Sequence, residues 1–251
     1  MVGLLHPGEM GAAIGAVLRS RGTNVLWASD GRSGETAARA SGADLTDVGT
    51  VDALARTADV ILSVCPPHAA REVARSVAGF DGVYVDANAV APATVREIAD
   101  GSARFVDAGI VGPPPVASPT HLYLSGGEAR RIADLFSGTS VDARVVSDRI
   151  GAASAVKATY AAWTKGTAAL LIAIADVARV EGVDETLAAE WRESLPALSD
   201  RLARAEASSR KKGWRWVGEM EEIAAAFDAA GLPDGFHLAA ADVFRRYERM
   251  F

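Results

Sequence analysis

Residues 1–20 read MVGLLHPGEMGAAIGAVLRS. The apolar run Val2–Leu5 predicts a buried strand, residues 6–8 predict a turn, and the alanine-rich residues from about 9 to 21 predict a helix. Strand, glycine turn and helix form a cradle for phosphate, because a helix start offers free N–H groups and a partial positive charge. Glycine in the turn lets the backbone approach a pyrophosphate closely. The segment therefore predicts an anion-binding turn.

The glycines of this turn follow the dinucleotide fingerprint G-x-G-x-x-G only in part. His6 stands where the first glycine belongs, whereas Gly8 and Gly11 fill the second and third positions. A glycine turn without a ligand is the alternative at this point. The residues predicted to form the cradle are His6, Pro7, Gly8, Glu9, Met10 and Gly11.

The composition of the 251-residue chain indicates a globular protein, with 49% hydrophobic and 23% charged residues. A net charge of -6 argues against nucleic-acid binding, which favours a basic surface. Cys65 is the only cysteine, so no internal disulfide is possible and a reducing cytoplasm is expected. No signal peptide is expected, and the apolar segment 166–175 is too short for a bilayer, which needs roughly 20 residues. We therefore expect no membrane association.

Short apolar segments alternate with helical patterns through the first 150 residues. Further strands are predicted at about residues 24–28, 59–64, 82–86, 104–107, 121–125 and 143–146. Helices are predicted at about residues 34–41, 50–57, 67–77 and 92–100, with Thr50 as an N-cap and Pro92 in a first turn. This alternation predicts a mostly parallel sheet covered by helices on both faces. Ligands of such sheets bind outside the carboxyl ends of the strands, where the intervening loops converge.

The second half of the chain has little strand signal. A long helix is predicted over 152–181, followed by helices at about 185–195, 197–207, 216–230 and 235–247. The basic segment 209–216, SRKKGWRW, is expected to be a solvated loop or to reach toward an anion or a partner subunit. We expect an α/β Rossmann-type domain over 1–150, binding NAD(P), and an all-helical domain over 151–251 for dimerisation and substrate binding.

Five ordered motifs resemble the β-hydroxyacid dehydrogenase superfamily, the relatives of 6-phosphogluconate and 3-hydroxyisobutyrate dehydrogenases. They are GLLHPGEMG at 3–11, SVCP at 63–66, DANAVAP at 86–92, FVDAGIVG at 105–112 and GAASAVK at 151–157. The pieces DGRS at 30–33, DANA at 86–89 and YAAWTKG at 160–166 are similar to a branch with a DUF1932-like C-terminal domain.

The resemblance implies that Lys157 is the general acid or base beside the nicotinamide. Lysine suits this role if burial lowers its pKa toward neutrality, and Lys157 has small and apolar neighbours. A solvated helix lysine is the alternative. The partner asparagine of the family is replaced by Ala161, while Tyr160, at i+3 from Lys157, either orients the substrate or packs in the core.

The loop after the second strand carries both Asp30 and Arg32. An acidic residue there binds the ribose of NAD, whereas arginine accommodates the 2′-phosphate of NADP. In the resembling branch Arg-Ser is a phosphate clamp, so we expect NADP through Arg32 and Ser33, with NAD as the alternative.

The remaining site residues follow from the other loops. The cofactor is expected to meet Val64, Cys65, Pro66 and Asn88, and the substrate Asn88, Gly112, Tyr160 and Lys165. Val111 and Pro113 replace the serine and second glycine of the family, which removes two donors for a carboxylate. A standard β-hydroxyacid substrate is therefore doubtful. The histidines have no metal-ligand spacing, so no metal is expected.

These observations predict an NADP-dependent oxidoreductase acting on a small hydroxy or carbonyl substrate. Imine reduction is a related alternative, but such enzymes of the superfamily tend to carry Asp or Tyr at the position of Lys157. A non-catalytic nucleotide-binding protein is the alternative from another class. The apolar face 168–175 needs a partner, and the family usually pairs through its C-terminal helices, so a homodimer is expected.

Overall fold

The computed structural model describes residues 1–116 and 118–247. The chain divides into two compact units, Met1–Lys157 and Ala158–Phe251. The first contains the sheet and the second is helical. This confirms the predicted fold class, a mostly parallel α/β unit followed by a helical one.

Eight strands form one sheet in the first unit. They are β1 Val2–Leu5, β2 Val25–Trp27, β3 Thr46–Asp47, β4 Val60–Ser63, β5 Val83–Asp86, β6 Phe105–Val111, β7 Thr120–Ser125 and β8 Val141–Ser147. The order is β3-β2-β1-β4-β5-β6-β7-β8, and all pairs are parallel except β6 with β7. The order reverses between β1 and β4, the place where doubly wound sheets bind dinucleotides.

Helices cover both faces of this sheet. They are α1 Glu9–Ser20, α2 Gly34–Gly42, α3 Val51–Thr57, α4 Ala70–Arg75, α5 Pro92–Ala99 and α6 Ala129–Asp134. Successive strand residues face opposite sides, so Leu4 joins a core with α1, α2 and α6 while Leu5 joins a second core with α3, α4 and α5. The predicted cap of α3 is present, because Thr50 Oγ1 accepts a hydrogen bond from Ala53 N at 3.1 Å.

Three features of this unit differ from the sequence predictions. The strand predicted to end at Asp107 continues to Val111, so Gly109 lies inside β6. The short elements β3 and α6 were not predicted, because two residues of strand and six of helix carry too little periodicity. Pairing of β6 with β7 is antiparallel, a choice that no local pattern reveals.

The second unit is formed by four helices. They are α7 Ala152–Glu181, of which the first six residues belong to the first unit, α8 Asp184–Ser194, α9 Leu198–Asp228 and α10 Gly235–Arg245. Segment 209–216 is not a loop but lies inside α9, which corrects the sequence prediction. Glycine is needed at position 213 of this helix, because a Cβ there would lie only 2.9 Å from the Cβ of Tyr247. The charged residues around it lie mostly on the exposed side.

Helix α7 has the predicted bounds and ends before Gly182, which has a φ of +68°. At 30 residues, α7 is long and apolar enough, by length and composition alone, to cross a membrane. The sequence prediction had considered only the shorter segment 166–175, which is too short to do so. A core helix passes the same test. Within the second unit, Ala158, Ala161 and Ala169 of α7 pack with α9 and α10 around Met220 and Phe244. One face of α7 therefore belongs to the core of the second unit.

Candidate cofactor and active site

The turn after β1 has a backbone conformation that explains its sequence pattern. His6 has a φ of +67°, a region that glycine enters without steric cost and other residues enter at about 1–2 kcal/mol. This is the position where the fingerprint carries its first glycine. Gly8 N then donates to His6 O at 2.7 Å, which closes the turn. His6 thus adopts the backbone conformation that the glycine of the fingerprint would adopt. Strained backbone of this kind is often found at ligand-binding sites.

Gly8 and Gly11 have different roles in this turn. A Cβ on Gly11 would lie 2.8 Å from His6 O and 3.6 Å from Val64 Cβ, so its glycine allows α1 to pack against the turn. A Cβ on Gly8 would meet no described atom within 4 Å, so the space beside Gly8 is open. Gly8 is the N-cap of α1, and no described side chain caps the first turn, where Glu9 and Met10 lie. Their N–H groups remain available to an anion.

Arg32 lies within electrostatic reach of this turn. Burial, and then the charge of Arg32, lower the pKa of His6 to about 4, so His6 is neutral at pH 7. Burial raises the pKa of Cys65 to about 12, against a smaller opposing effect of Arg32. Cys65 is therefore a protonated thiol at neutral pH and does not act as a nucleophile. The ends of β1, β2 and β4 thus converge around one cationic group.

A chain of hydrogen bonds joins the start of α2 to the turn. Ser33 Oγ accepts from Thr36 N at 3.3 Å, and Thr36 Oγ1 accepts from Arg39 Nη2 at 3.2 Å. Arg39 Nε donates to Pro7 O at 3.4 Å. Sequence analysis missed Arg39, although its spacing of three from Thr36 puts both on one helix face. Arg39 therefore connects the start of α2, next to the predicted NADP-binding residues, to the turn that follows β1.

Asn88 joins the ends of β4 and β5. Its Oδ1 accepts from Cys65 N at 2.6 Å, and its Nδ2 donates to Ser63 Oγ at 3.1 Å and to Asp86 Oδ2 at 3.0 Å. Asn88 is buried, and both N–H groups of its amide are used within the protein. The side chain therefore holds the 63–66 loop in place, and its contact with cofactor or substrate stays a prediction. Pro66 follows in this loop and is the N-cap of a short 3₁₀ turn, Pro67–Ala69.

Lys157 lies in the second turn of α7, next to β6. A Cβ on Gly109 would stand 3.0 Å from Lys157 Cβ and 2.7 Å from Ala153 O, so only glycine at this position lets α7 come so close. The side chain is partly buried. Burial lowers the pKa of Lys157 from 10.5 to about 8. The amine can therefore both accept and donate a proton near neutral pH.

Asp107 of β6 anchors the start of α7. Its Oδ2 accepts from Gly151 N at 3.0 Å, Ser154 N at 3.1 Å and Ser125 Oγ at 2.8 Å, and its Oδ1 accepts from Ser154 Oγ at 2.6 Å. Ser125 Oγ in turn accepts from Ala153 N at 3.1 Å. Asp107, Ser125 and Ser154 are fully buried. Sequence analysis named Asp107 only as part of a motif; an acidic residue inside an apolar strand was the available signal.

The other predicted substrate residues take no part in the hydrogen bonds of Asp107 and Asn88. Gly112 follows β6 with a φ of +124° and shapes the loop to Thr120. Tyr160 and Lys165 lie in the second unit, where Tyr160 is 51% exposed. Lys165 forms an ion pair with Glu219, and its Nζ lies 5.8 Å from the centre of the Trp216 ring. Their roles toward a substrate stay predictions. Within residues 1–116 and 118–247, no three His, Cys, Asp or Glu side chains form a metal-binding group.

A family described as a domain of unknown function (DUF1932) matches residues 178–247. An uncharacterized 28.5 kDa protein from Methanothermus fervidus is 30% identical over 138 residues, which are 53% of this chain and 54% of that protein. The chain thus spans about half the length of this curated relative.

Solved structures match over almost the whole chain. A conserved protein of unknown function, described as similar to 3-hydroxyacid dehydrogenases, is 25% identical, with 98% and 96% of the two chains covered and a TM-score of 0.71. The 3-hydroxyisobutyrate dehydrogenase of Mycobacterium tuberculosis is 17% identical, with 98% and 92% covered and a TM-score of 0.72. A reductive aminase from Aspergillus terreus in complex with NADPH is 16% identical, with 98% and 92% covered and a TM-score of 0.62.

The chain has a β-hydroxyacid-dehydrogenase-like fold, and its residues 178–247 match the DUF1932 family. The resemblance inferred from the five sequence motifs is thereby confirmed. The two named enzymes are less than 25% identical to this chain, so their similarity shows a shared fold and nothing more. The order of the first six strands indicates the same type of fold.

Proposed function

We propose that the protein is a cytoplasmic NADP-dependent oxidoreductase that moves a hydride between the nicotinamide and a small hydroxy or carbonyl substrate. The observation that carries the proposal is Lys157, whose Cβ packs against Gly109 of β6 and whose pKa burial lowers to about 8, in the unit that contains the predicted phosphate cradle. The named relatives of this fold support the reaction class. When bound, NADP supplies or accepts the hydride at C4 of its nicotinamide ring.

The residues of the first unit fit a dinucleotide. The open space beside Gly8 and the uncapped first turn of α1 suit a pyrophosphate, and the nearby charge of Arg32 suits a 2′-phosphate. Ser33 contributes the start of α2. Asp30 in the same loop is the feature that would favour NAD instead. We favour NADP because a phosphate and a guanidinium form strong paired hydrogen bonds.

Lys157 acts on the oxygen of the substrate. In the direction of oxidation, the neutral amine would accept the hydroxyl proton, and the bound cofactor would take the hydride. In the direction of reduction, the ammonium would return that proton to the carbonyl oxygen, and the bound cofactor would supply the hydride. Both protonation states are populated near the pKa of about 8, as general acid-base catalysis requires.

A single added methyl group tests the cradle. Gly8→Ala places a Cβ in the open space where the pyrophosphate is expected, without touching a described atom. We expect NADPH to bind about 10- to 100-fold more weakly, the equivalent of one or two hydrogen bonds to a charged group. Fluorescence titration measures the affinity and circular dichroism the fold.

Gly42→Ala is the matched control, because its Cβ also meets no described atom but lies at the far end of α2. It should bind NADPH like the native protein. Equal binding by Gly8→Ala and native protein would contradict the cradle, and no binding of either NADPH or NADH by the native protein would contradict the proposed function.

We further propose a homodimer that pairs through α7. Trp163, Leu170, Ile174 and Val177 are exposed on this helix and lie seven, four and three residues apart, the spacing of a coiled-coil seam. Trp163 and Leu170 are 64% and 60% exposed. An apolar groove of about 590 Å³ continues this surface toward Leu198 and Trp216 of the same unit. So large an apolar surface is typical of an interface.

Leu170→Glu tests this interface, because it places a charge in the middle of the seam. Light scattering is expected to give twice the chain mass of 26.1 kDa for the native protein and a single chain mass for the variant. Leu232→Glu, at a 54% exposed residue between α9 and α10, should stay dimeric. A native protein that is monomeric at every concentration tested would refute the proposal.

A further inference from the structure

Residues Asp107 and Gly109 lie on the same face of β6, two residues apart, and both face α7. Asp107 binds the first turn of the helix through Gly151 N and both donors of Ser154. Gly109 leaves the room in which Ala153 O and Lys157 Cβ lie. One strand face thus holds two successive turns of α7, first by hydrogen bonds and then by close packing.

We propose that Asp107 is a positioning residue, whose carboxylate holds the first turn of α7 on β6 and thereby places the Lys157 amine at its working position. This inference rests on the proposed function of Lys157. Four donors converge on the Asp107 carboxylate, so it stabilises the start of the helix as an N-terminal acceptor does. Lys157 comes three residues after Ser154, on the same helix face. If the first turn loosened, Lys157 would leave its close contact beside Gly109.

The carboxylate suits this place because all four groups around it donate to it. Asparagine has the same shape but is neutral. If its NH₂ group faced Gly151 N and Ser154 N, two buried donors would lose their acceptor; if it faced Ser154 Oγ, that hydroxyl would have to accept instead of donate, and one amide N–H would be left over. In either orientation a neutral group replaces a charged acceptor, so the hydrogen bonds that hold the first turn on β6 become weaker. Ser154→Ala is a milder change, because it removes the hydrogen bond to Oδ1 and leaves the three bonds to Oδ2.

The first measurement needs no turnover. The reactivity of each lysine amine toward an acylating reagent is followed against pH by mass spectrometry of the intact, folded protein. In the native protein Lys157 should become reactive around its pKa of about 8. In Asp107→Asn the midpoint should move up toward that of an exposed lysine, about 10.4, with a smaller shift in Ser154→Ala. Lys211 and Lys212 provide internal references.

The second measurement separates positioning from general stability. Asp107→Asn should lower kcat about tenfold or more while the Kd for NADPH stays within about twofold, since the cradle lies on β1 and α1. Thr50→Ala is the control, because it also removes an N-terminal acceptor, but on α3. That variant should lose stability and keep both kcat and the Lys157 midpoint.

The outcomes are distinct. A Lys157 midpoint in Asp107→Asn and Ser154→Ala equal to that in Thr50→Ala overturns the positioning role, whatever the turnover. If Asp107→Asn does not fold, Ser154→Ala decides by the same midpoint. A shifted midpoint in a protein without any NADPH turnover would support the positioning of Lys157 and overturn the proposed function instead.

Discussion

Lys157→Met is expected to lower kcat by about 10²- to 10⁴-fold, the usual contribution of a general acid or base. Methionine retains an unbranched side chain of similar length and fits the partly buried site beside Gly109. It cannot accept or donate the substrate proton. Binding of NADPH should be unchanged, because the cradle belongs to β1 and α1. Steady-state turnover and a separate fluorescence titration distinguish the two effects.

The pKa of Lys157 also predicts how the rate of each reaction direction changes with pH. Burial lowers the pKa of Lys157 to about 8, so the neutral amine is the minor form below pH 8 and the major form above it. Oxidation of a hydroxyl needs the neutral amine, and kcat/KM should rise with pH and level off above about 8. Reduction of a carbonyl needs the ammonium, and its rate should fall above about 8. Both dependences should be absent from Lys157→Met.

Lys211→Met is the matched control, since Lys211 is an exposed lysine of α9 in the second unit. It should retain native turnover and the native pH profile. Unchanged turnover in Lys157→Met would show that the proposed role of Lys157 is wrong. Tight NADPH binding by a native protein that turns over no hydroxy, carbonyl or imine substrate would favour a nucleotide-binding protein, the alternative that Val111 and Pro113 suggested.

Arg32→Ala is expected to weaken NADPH binding by about 10- to 100-fold, or about 1.4–2.7 kcal/mol, which is close to the contribution of one hydrogen bond to a charged group. NADH lacks the 2′-phosphate, so its affinity should change little. The variant should therefore lose the preference for NADPH over NADH. Its His6 should also titrate at a somewhat higher pH, because the charge of Arg32 contributes to the low pKa of His6. Titrations with both cofactors and proton NMR of His6 measure these effects.

Arg130→Ala is the control for net charge, because Arg130 is exposed on α6 rather than near the β2–α2 loop. It should bind both cofactors like the native protein. Equal weakening of NADPH and NADH by Arg32→Ala would assign Arg32 to the pyrophosphate rather than to the 2′-phosphate. Native affinities equal for the two cofactors would contradict the choice of NADP.

The elements with strong local patterns were predicted closely. The bounds of β1 and α7 are those predicted, and the Thr50 cap and Pro92 in the first turn of α5 are present. These features depend on apolar period, capping residues and glycine, which act within a few residues. Segment 209–216 was wrongly predicted to be a loop, because its glycine and its run of charges are typical of loops. In the structure it is part of α9, which packs against α10.

The sequence named candidate site residues but could not predict how they are connected. Asn88 and Arg32 were named from motifs, but the structure commits the amide of Asn88 to Ser63, Cys65 and Asp86. Arg39 was missed because its partner, Pro7 O, lies 32 residues earlier in the chain. A motif identifies which residue types occur together, and hydrogen-bond partners depend on how distant segments meet.

The sequence by itself determined seven of the eight strands, the glycine turn after β1 and the lysine that follows Gly151, because each depends on neighbours along the chain. Only the tertiary structure decided the antiparallel pairing of β6 with β7, the glycine-like backbone of His6 and the capping of α7 by Asp107. Asp107 and Ser154 are 47 residues apart. Their contact requires that β6 and α7 be folded against each other, and it is this contact that places Lys157.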